Sequence, residues 1–324
     1  MKKNSRLIAF GISSVALLFL VAFLVINFGV IKDILVGMRY QPSEAMSEIR
    51  EKMNLTGKGM RIFNASLPEL KDKDEFNKIC RGEESENAVL GCYRGDKVYV
   101  YNVTSDELPG VREVTAAHEL LHAVYDRMNM EEKRDLSAIL GTVYNENLEI
   151  LGEEIGLYED DKKEEELFVR IGTEIKALPE VLEKKYGEIF ENQDEIVDFY
   201  QGYISVFREI ENKLKELLLK VENLEAEITK KTEQYETEVG VLNDDVKKFN
   251  DCAKTPDCFT SSWVFNNKRR ELVSRQENLT VLYDKINGLI SEYNTLAAEY
   301  NENLLHGQAL NMAINSATEI NQPE

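Results

Sequence analysis

The chain has 324 residues, of which 43% are hydrophobic, enough for one large domain or two modest ones with a buried core. This composition argues against a wholly disordered chain. The net charge is −20, so most of the surface would repel a phosphate backbone, and we expect no nucleic-acid partner. Only 3 histidines and 4 cysteines occur, so a pattern that uses two of the histidines at ligand spacing is informative.

An uninterrupted apolar segment lies near the amino terminus. Residues 7–31 contain no charged side chain and, at the rise of a helix, are long enough to span a bilayer. Lys2, Lys3 and Arg6 precede the segment, which predicts that residues 1–6 stay in the cytoplasm. A cleaved signal peptide is the alternative, but its apolar region would be shorter and no A-x-A-like site follows. The sequence therefore predicts a single-pass signal anchor in the cell membrane, with the rest of the chain extracytoplasmic.

Two strand regions are predicted after this segment. Residues Gly57 to Ser66 and Ala88 to Val103 are rich in β-branched and aromatic residues, and Gly95 with Asp96 predicts a turn inside the second region. Residues Val98 to Val103 form the best strand pattern in the chain. We expect them to be an edge strand that could hold an extended substrate.

The apolar period becomes helical from Leu108 onward. The pattern places His118 and His122 on the buried face of the first of these helices. Further helical patterns cover residues 130–158 and 164–178. A helical region thus follows the predicted strands directly.

The last third of the chain has a coiled-coil pattern. Apolar residues recur at intervals of three, four or seven along two arms, residues 203–249 and 263–305, which are separated by a segment containing Pro256. Matched arms around a break predict an antiparallel hairpin of about 65 Å. A parallel oligomeric coiled coil is the alternative, so self-association or a separate coiled-coil partner stays open.

The four cysteines form two local groups. Cys80 lies near Cys92, and Cys252 lies near Cys258. Of the three pairings that four cysteines permit, the local one is the simplest, and it suits an oxidising compartment. The sequence therefore predicts the disulfides Cys80–Cys92 and Cys252–Cys258, with four unpaired buried thiols as the alternative.

Residues 115–122 read TAAHELLH and contain the pattern H-E-x-x-H. On a helix, His118 and His122 share a face, so both imidazoles can bind one zinc ion, while Glu119 is left to act on the bound water. Zinc lowers the pKa of that water, and Glu119 would accept its proton during attack on a carbonyl. Chance would produce the pattern only about 0.003 times in a chain of this composition. Two structural histidines on an amphipathic helix are the alternative.

The third protein ligand is expected to be a carboxylate on a later helix. His306 is the only other histidine, and it lies far along the second coiled-coil arm. Glu166 and Glu174 are the candidates. Glu174 lies in an apolar stripe with Leu167 and Ile171, where a glutamate must be satisfied by a partner.

H-E-x-x-H completed by a downstream glutamate resembles the gluzincin branch of the zincin metalloproteases. The resemblance favours Glu166, because the residues from Glu166 to Val169 are similar to a local gluzincin pattern of glutamate, any residue, an apolar residue and a small one. The 43 residues between His122 and Glu166 also resemble the spacing in the anthrax lethal factor type of catalytic domain. In that type a tyrosine before this helix reaches the active site, which implies that Tyr158 stabilises the transition state. The resemblance covers roughly residues 88–190.

Together these patterns predict an α+β, predominantly helical protein that binds one zinc ion (Zn2+) and hydrolyses a protein or peptide substrate. The whole arrangement also resembles a family of uncharacterised membrane-anchored proteins. The predicted parts are a cytoplasmic tip (1–6), a transmembrane signal anchor (7–31), a linker (32–49), a small zincin-like metallopeptidase domain (50–200), a helical hairpin (201–310) and a tail (311–324). The alternative is a non-catalytic envelope or interaction protein that uses the coiled coil and in which zinc is structural.

Overall fold

The structure is a computed structural model that describes residue 24 and residues 27–80, 89–152, 155 and 160–316. The chain is mostly helical, with a small three-stranded sheet and a long carboxyl-terminal helical hairpin. This confirms the predicted balance of helix and strand.

The chain divides into two compact units, one formed by Met1–Val206 with Ala309–Glu324 and the other by Phe207–Gln308. The elements in chain order are α1 (Phe28–Gly37), α2 (Glu44–Lys52), α3 (Gly57–Ala65), β1 (Glu69–Lys71), α4 (Lys73–Cys80), β2 (Gly91–Arg94), β3 (Lys97–Tyr101), α5 (Val111–Asp126), α6 (Met130–Glu146), α7 (Leu148–Leu151), α8 (Asp160–Glu174), α9 (Glu180–Gly187), α10 (Gln193–Ala253) and α11 (Ser262–Ile314).

No helix within the described ranges is both long and apolar enough to cross a membrane. The predicted span, residues 7–31, lies outside the described residues except for Leu24 and residues 27–31. The anchor therefore stays a prediction.

The segment predicted as a linker, residues 32–49, is folded. It contains the end of α1 and most of α2, and Met46 and Ile49 are buried in the core. Ser43 caps α2, because its hydroxyl oxygen accepts a hydrogen bond from the Met46 amide at 3.2 Å. The linker prediction is wrong because residues 32–49 include apolar residues at helical spacing among the polar ones.

The predicted strand at Gly57 to Ser66 is also wrong, since these residues form α3. Thr56 caps the helix by accepting a hydrogen bond from the Gly59 amide at 3.1 Å. Gly59, Ile62 and Phe63 are buried, which is a helical spacing rather than a strand alternation. The capping threonine and this spacing outweigh the β-branched content.

The sheet has the strand order β1-β3-β2, with β1 parallel and β2 antiparallel to β3. Gly95 and Asp96 form the predicted turn between β2 and β3, with φ of 60° and 62°. The strand predicted at Val98 to Val103 is confirmed as β3. The expectation that it is an edge strand is wrong, because β3 is central and β2 lies at the edge.

Helix α5 is the centre of the first unit. It begins after Gly110, whose φ of 84° suits glycine, and a Cβ there would lie 2.8 Å from the Phe199 Cα. The helix packs against the sheet and against α8, and Ala116 and Leu120 are fully buried. Close approach to α8 requires Gly172, where a Cβ would lie 2.6 Å from Leu121 Cδ1.

A disulfide joins the end of α4 to β2, with the Cα atoms of Cys80 and Cys92 5.7 Å apart. The chain returns to the same region after α11. Asn77 Nδ2 donates a hydrogen bond to the Ser316 carbonyl oxygen at 2.6 Å, and the Ser316 hydroxyl donates to the Val89 carbonyl oxygen at 2.7 Å. The predicted tail, 311–324, is therefore helical and anchored at its start, and residues 317–324 lie outside the described residues.

The second unit is an antiparallel pair of helices from α10 and α11, which confirms the intramolecular hairpin. Leu242, Leu272 and Leu279 form a small buried core between the arms. Cys252 and Cys258 are bonded at the tip, with Cα atoms 5.4 Å apart. Helix α10 begins at Gln193, earlier than the predicted hairpin.

Candidate metal centre

His118 and His122 extend from one face of α5 towards Glu166, which lies in the first half of α8. The Nε2 atom of His118 is 3.9 Å from Glu166 Oε1, and the Nε2 atom of His122 is 3.7 Å from Glu166 Oε2. One ligand atom from each side chain lies within 4.8 Å of the other two. Among the described residues, no other group of three histidine, cysteine or carboxylate side chains converges in this way.

Glu165 contacts His122 at the ring nitrogen that does not face Glu166. Its carboxylate accepts a hydrogen bond from His122 Nδ1 at 2.7 Å. Because a carboxylate only accepts, this bond places a ring hydrogen on Nδ1, and in the neutral imidazole the Nε2 lone pair is then directed towards Glu166. Burial alone would lower the pKa of His122, but the bond to Glu165 and the charges of Glu119 and Glu166 raise it.

His118 has the opposite electrostatic environment. Burial lowers its pKa well below the ordinary value, and the charges of His122 and Arg170 lower it further. The imidazole of His118 is therefore neutral at physiological pH. A neutral imidazole has a free lone pair, as binding to a metal ion requires.

Glu119 lies on the buried side of α5 and is only 5% exposed. Burial raises its pKa to about 7; His122 and a hydrogen bond from the Tyr93 amide act in the opposite direction. The carboxylate lies directly against β2, because a Cβ on Gly91 would be 2.5 Å from Glu119 Oε1. A carboxyl group that titrates near neutrality is suited to accepting and donating a proton.

Glu174, the second candidate for the third ligand, lies elsewhere. Arg170 Nε donates to Glu174 Oε1 at 2.7 Å, and Arg170 Nη2 donates to Oε2 at 3.1 Å. The hydroxyl of Tyr200 also hydrogen-bonds to Glu174. Burial raises the pKa of Glu174, and these bonds stabilise its ionised form. The structure therefore brings Glu166, and not Glu174, to the two histidines.

A cleft of about 360 Å³ opens over His118, Glu119 and Glu166. Its walls come from the segment before β2, from α5 and α8, and from Tyr200 and Tyr203 at the start of α10. The two tyrosine rings meet edge to face with centroids 5.7 Å apart. The cleft is thus large enough for part of a peptide and has hydroxyl groups on one wall.

Tyr158, which the resemblance placed at the active site, lies outside the described residues. The tyrosines that line the described cleft are Tyr200 and Tyr203, and the sequence patterns did not indicate them. Glu165 was also missed, because it lies in a run of charged residues that is typical of a solvated helix face. Only the packing of α8 against α5 distinguishes it from its neighbours.

The chain matches no protein-family model, no curated protein and no solved structure. The gluzincin resemblance therefore depends on H-E-x-x-H and on the position of Glu166.

Proposed function

We propose that this chain is a zinc-dependent peptidase. The observation that carries the proposal is the convergence of two histidine Nε2 atoms and a Glu166 carboxylate beside the buried carboxyl group of Glu119. Two imidazoles and one carboxylate are the donor set of many catalytic zinc sites, which keep a fourth position for water or substrate. His118, His122 and Glu166 would hold the ion.

Zinc in this position supplies Lewis acidity to a substrate carbonyl and lowers the pKa of water. Glu119 accepts the proton of the attacking water on its carboxylate and then donates it to the amine that leaves. Its position against Gly91 leaves the carboxylate little room to move, which favours a defined path for the proton. Glu165 keeps His122 in the tautomer that presents Nε2 to the metal.

The substrate is proposed to be an extended peptide that lies along β2. Within the described residues, β2 pairs with β3 on one side only. The Tyr101 amide donates to the Leu90 carbonyl oxygen, so by the alternation of an antiparallel ladder the backbone groups of Gly91 point away from β3. Gly91 also lines the cleft, so a peptide added at this edge would pass the metal centre.

We further propose an extracytoplasmic location with a single-pass membrane anchor at residues 7–31. Two disulfides support an oxidising compartment. Self-association through the hairpin is a separate proposal that the coiled-coil pattern supports. A non-catalytic protein with a structural zinc is less consistent with the site, because Glu119 would then be a buried carboxyl group with no role.

Hydrolysis is tested with the full chain loaded with zinc and a mixture of unrelated peptides. Glu119→Gln keeps the shape of the side chain but removes the proton acceptor, and we expect cleavage to fall about 100-fold or more with zinc content unchanged. Glu113→Gln is the matched control, because Glu113 is equally buried on α5 but pairs with Lys52 outside the cleft. Equal cleavage by Glu119→Gln and the parent would contradict the proposal.

A further inference from the structure

A second cavity lies beside the first described helix and beside the carboxyl-terminal end of α5. It has a volume of about 420 Å³. Its walls come from α1, α3, the end of α5, the start of α6 and the turn after β2. It shares no lining residue with the cleft over His118. We name it the Arg61 crevice, after the arginine of α3 that lines it.

Five cationic and four anionic side chains line the Arg61 crevice. Three ion pairs occupy most of them, namely Lys32 with Asp96 at 2.9 Å, Arg127 with Asp33 at 3.1 Å and Lys185 with Glu132 at 2.8 Å. The fourth carboxylate, Asp126, accepts a hydrogen bond from the Tyr93 hydroxyl at 3.2 Å. Lys58 pairs with Glu188 at 2.5 Å.

Arg61 is the remaining cation of the crevice and has no ion pair in this network. Its Nε atom is buried, and no group in the described part of the chain accepts a hydrogen bond from it. Arg61 as a whole is only partly buried and lines the crevice, so its guanidinium group can meet an anion that enters from solvent. A guanidinium group matches the oxygens of a phosphate with paired hydrogen bonds. The crevice therefore has the chemistry of a site for one phosphate group.

The helix that forms one wall of the crevice also exposes apolar side chains to solvent. Ile34 is 45% exposed, Leu35 is 58% exposed and Met38 is 79% exposed. Ile34 and Leu35 lie on α1, and Met38 directly follows it. Helix α1 also supplies Lys32 and Asp33 to the crevice. Apolar side chains beside a phosphate site fit an amphipathic ligand, whereas a free phosphate ion would make no use of them.

We propose that the Arg61 crevice binds the phosphate headgroup of an anionic phospholipid, with the acyl chains against the apolar side chains of α1. Four of the five cations of the crevice are in ion pairs, so Arg61 is the cation that is left to meet the charge of the headgroup. The proposed anchor, residues 7–31, runs into the start of α1 and would bring the crevice to a bilayer surface. This binding does not depend on the metal centre.

The test uses the full chain in a neutral detergent, titrated with short-chain phosphatidylglycerol, with phosphatidylcholine of the same chain length, or with inorganic phosphate. Binding is measured by the rise in the thermal unfolding midpoint and by 31P line broadening. We expect phosphatidylglycerol to bind about tenfold or more tightly than either other ligand. Arg61→Gln should weaken its binding about tenfold or more, the loss expected for a charge-assisted hydrogen bond.

Arg134→Gln is the control, because Arg134 is exposed on α6 and does not line the crevice. Arg61→Lys keeps the charge but not the planar pair of donors, so an intermediate affinity is expected. This variant replaces Arg61→Gln in the test if Arg61→Gln does not fold. Equal binding by Arg61→Gln and the parent would overturn the proposal. Equal binding of inorganic phosphate and phosphatidylglycerol would indicate a small-anion site and overturn the assignment to a lipid. Equal binding of phosphatidylcholine and phosphatidylglycerol would overturn the assignment to an anionic headgroup.

Discussion

Glu119 and Gly91 lie so close together that the glycine sets the position of the carboxylate. A Cβ added at Gly91 would lie 2.5 Å from Glu119 Oε1 and 2.8 Å from Thr115 Cγ2. Neither helix α5 nor strand β2 can move away easily. The disulfide at Cys92 holds the strand, and the fully buried residues Ala116 and Leu120 fix the helix in the core. A side chain at residue 91 must therefore displace the carboxylate.

Gly91→Ala is expected to lower peptide cleavage about 100-fold, the effect of misplacing a catalytic group by about 1 Å. Zinc content should stay unchanged, since the atoms nearest to a Cβ at Gly91 belong to Glu119 and Thr115 and not to the three candidate ligands. The measurements are kcat/KM on a test peptide and metal analysis of the same sample. Gly141→Ala is the control, because nothing lies within 4 Å of a Cβ there. Full activity of Gly91→Ala would contradict the role given to this contact.

The two candidate carboxylates on α8 are predicted to behave differently. Glu166→Ala should release zinc, because it removes the carboxylate that faces both histidines. Glu174→Ala should keep zinc but lower the free energy of unfolding by about 3 kcal/mol, because it removes the carboxylate that accepts two hydrogen bonds from the largely buried Arg170. Metal analysis and denaturant unfolding separate the two effects. The opposite result would make Glu174 the ligand.

At the scale of elements, the pairing of α5 with α8 brings the site together. Each helix has a buried face, and Gly172 permits the close approach that sets the distance between them. The amino-terminal half of α8 then presents three consecutive glutamates with separate partners. Glu164 interacts with Ser137, Glu165 with His122, and Glu166 with the candidate metal position.

Glu165→Gln is expected to weaken zinc binding about 10- to 100-fold, the usual effect of losing the charged partner of a ligating histidine. Glu164→Gln is a matched control from the preceding position, since Glu164 bonds to Ser137 and not to a histidine. Zinc affinity is measured by competition with a chelator of known affinity. Similar affinities for the two variants would show that Glu165 does not position His122.

At the scale of the whole molecule, the hairpin unit contains its own stabilising contacts. Leu242, Leu272 and Leu279 are buried between the arms, and Arg275 donates to Asp245 across them at 2.8 Å. The aromatic rings of Phe249 and Phe265 lie 5.0 Å apart near the tip. The hairpin thus has a core that does not require a second chain.

The segment 201–308 alone is expected to be helical and monomeric, with Cys252 bonded to Cys258. The short disulfide loop should contribute only about 2 kcal/mol, so reduction should lower the unfolding midpoint without abolishing the helices. Circular dichroism, sedimentation equilibrium and mass mapping of the disulfide test this. A concentration-dependent dimer with cysteines bonded between chains would indicate a parallel stalk instead.

Several features were predictable from the sequence because they depend on short-range periodicity. H-E-x-x-H places two imidazoles on one face of any helix that contains it, so His118 and His122 needed no tertiary information. The hairpin was predictable for the same reason, since its arms repeat apolar residues at the spacing of packed helices. The turn at Gly95 followed from the residue types that tolerate positive φ.

Other features were decided only by tertiary packing. Glu166 and Glu174 lie on one helix; the resemblance favoured Glu166 and left Glu174 as the alternative, and the position of α8 against α5 decides which of them meets the histidines. Whether β3 is an edge or a central strand depends on β1, which pairs with it from a distant segment. Residues 57–66 had strand-like composition but form a helix, because the capping Thr56 and the burial of Ile62 and Phe63 favour it. Local spacing thus determined the chemistry that the chain can perform, whereas long-range contacts decided which side chains come together to perform it.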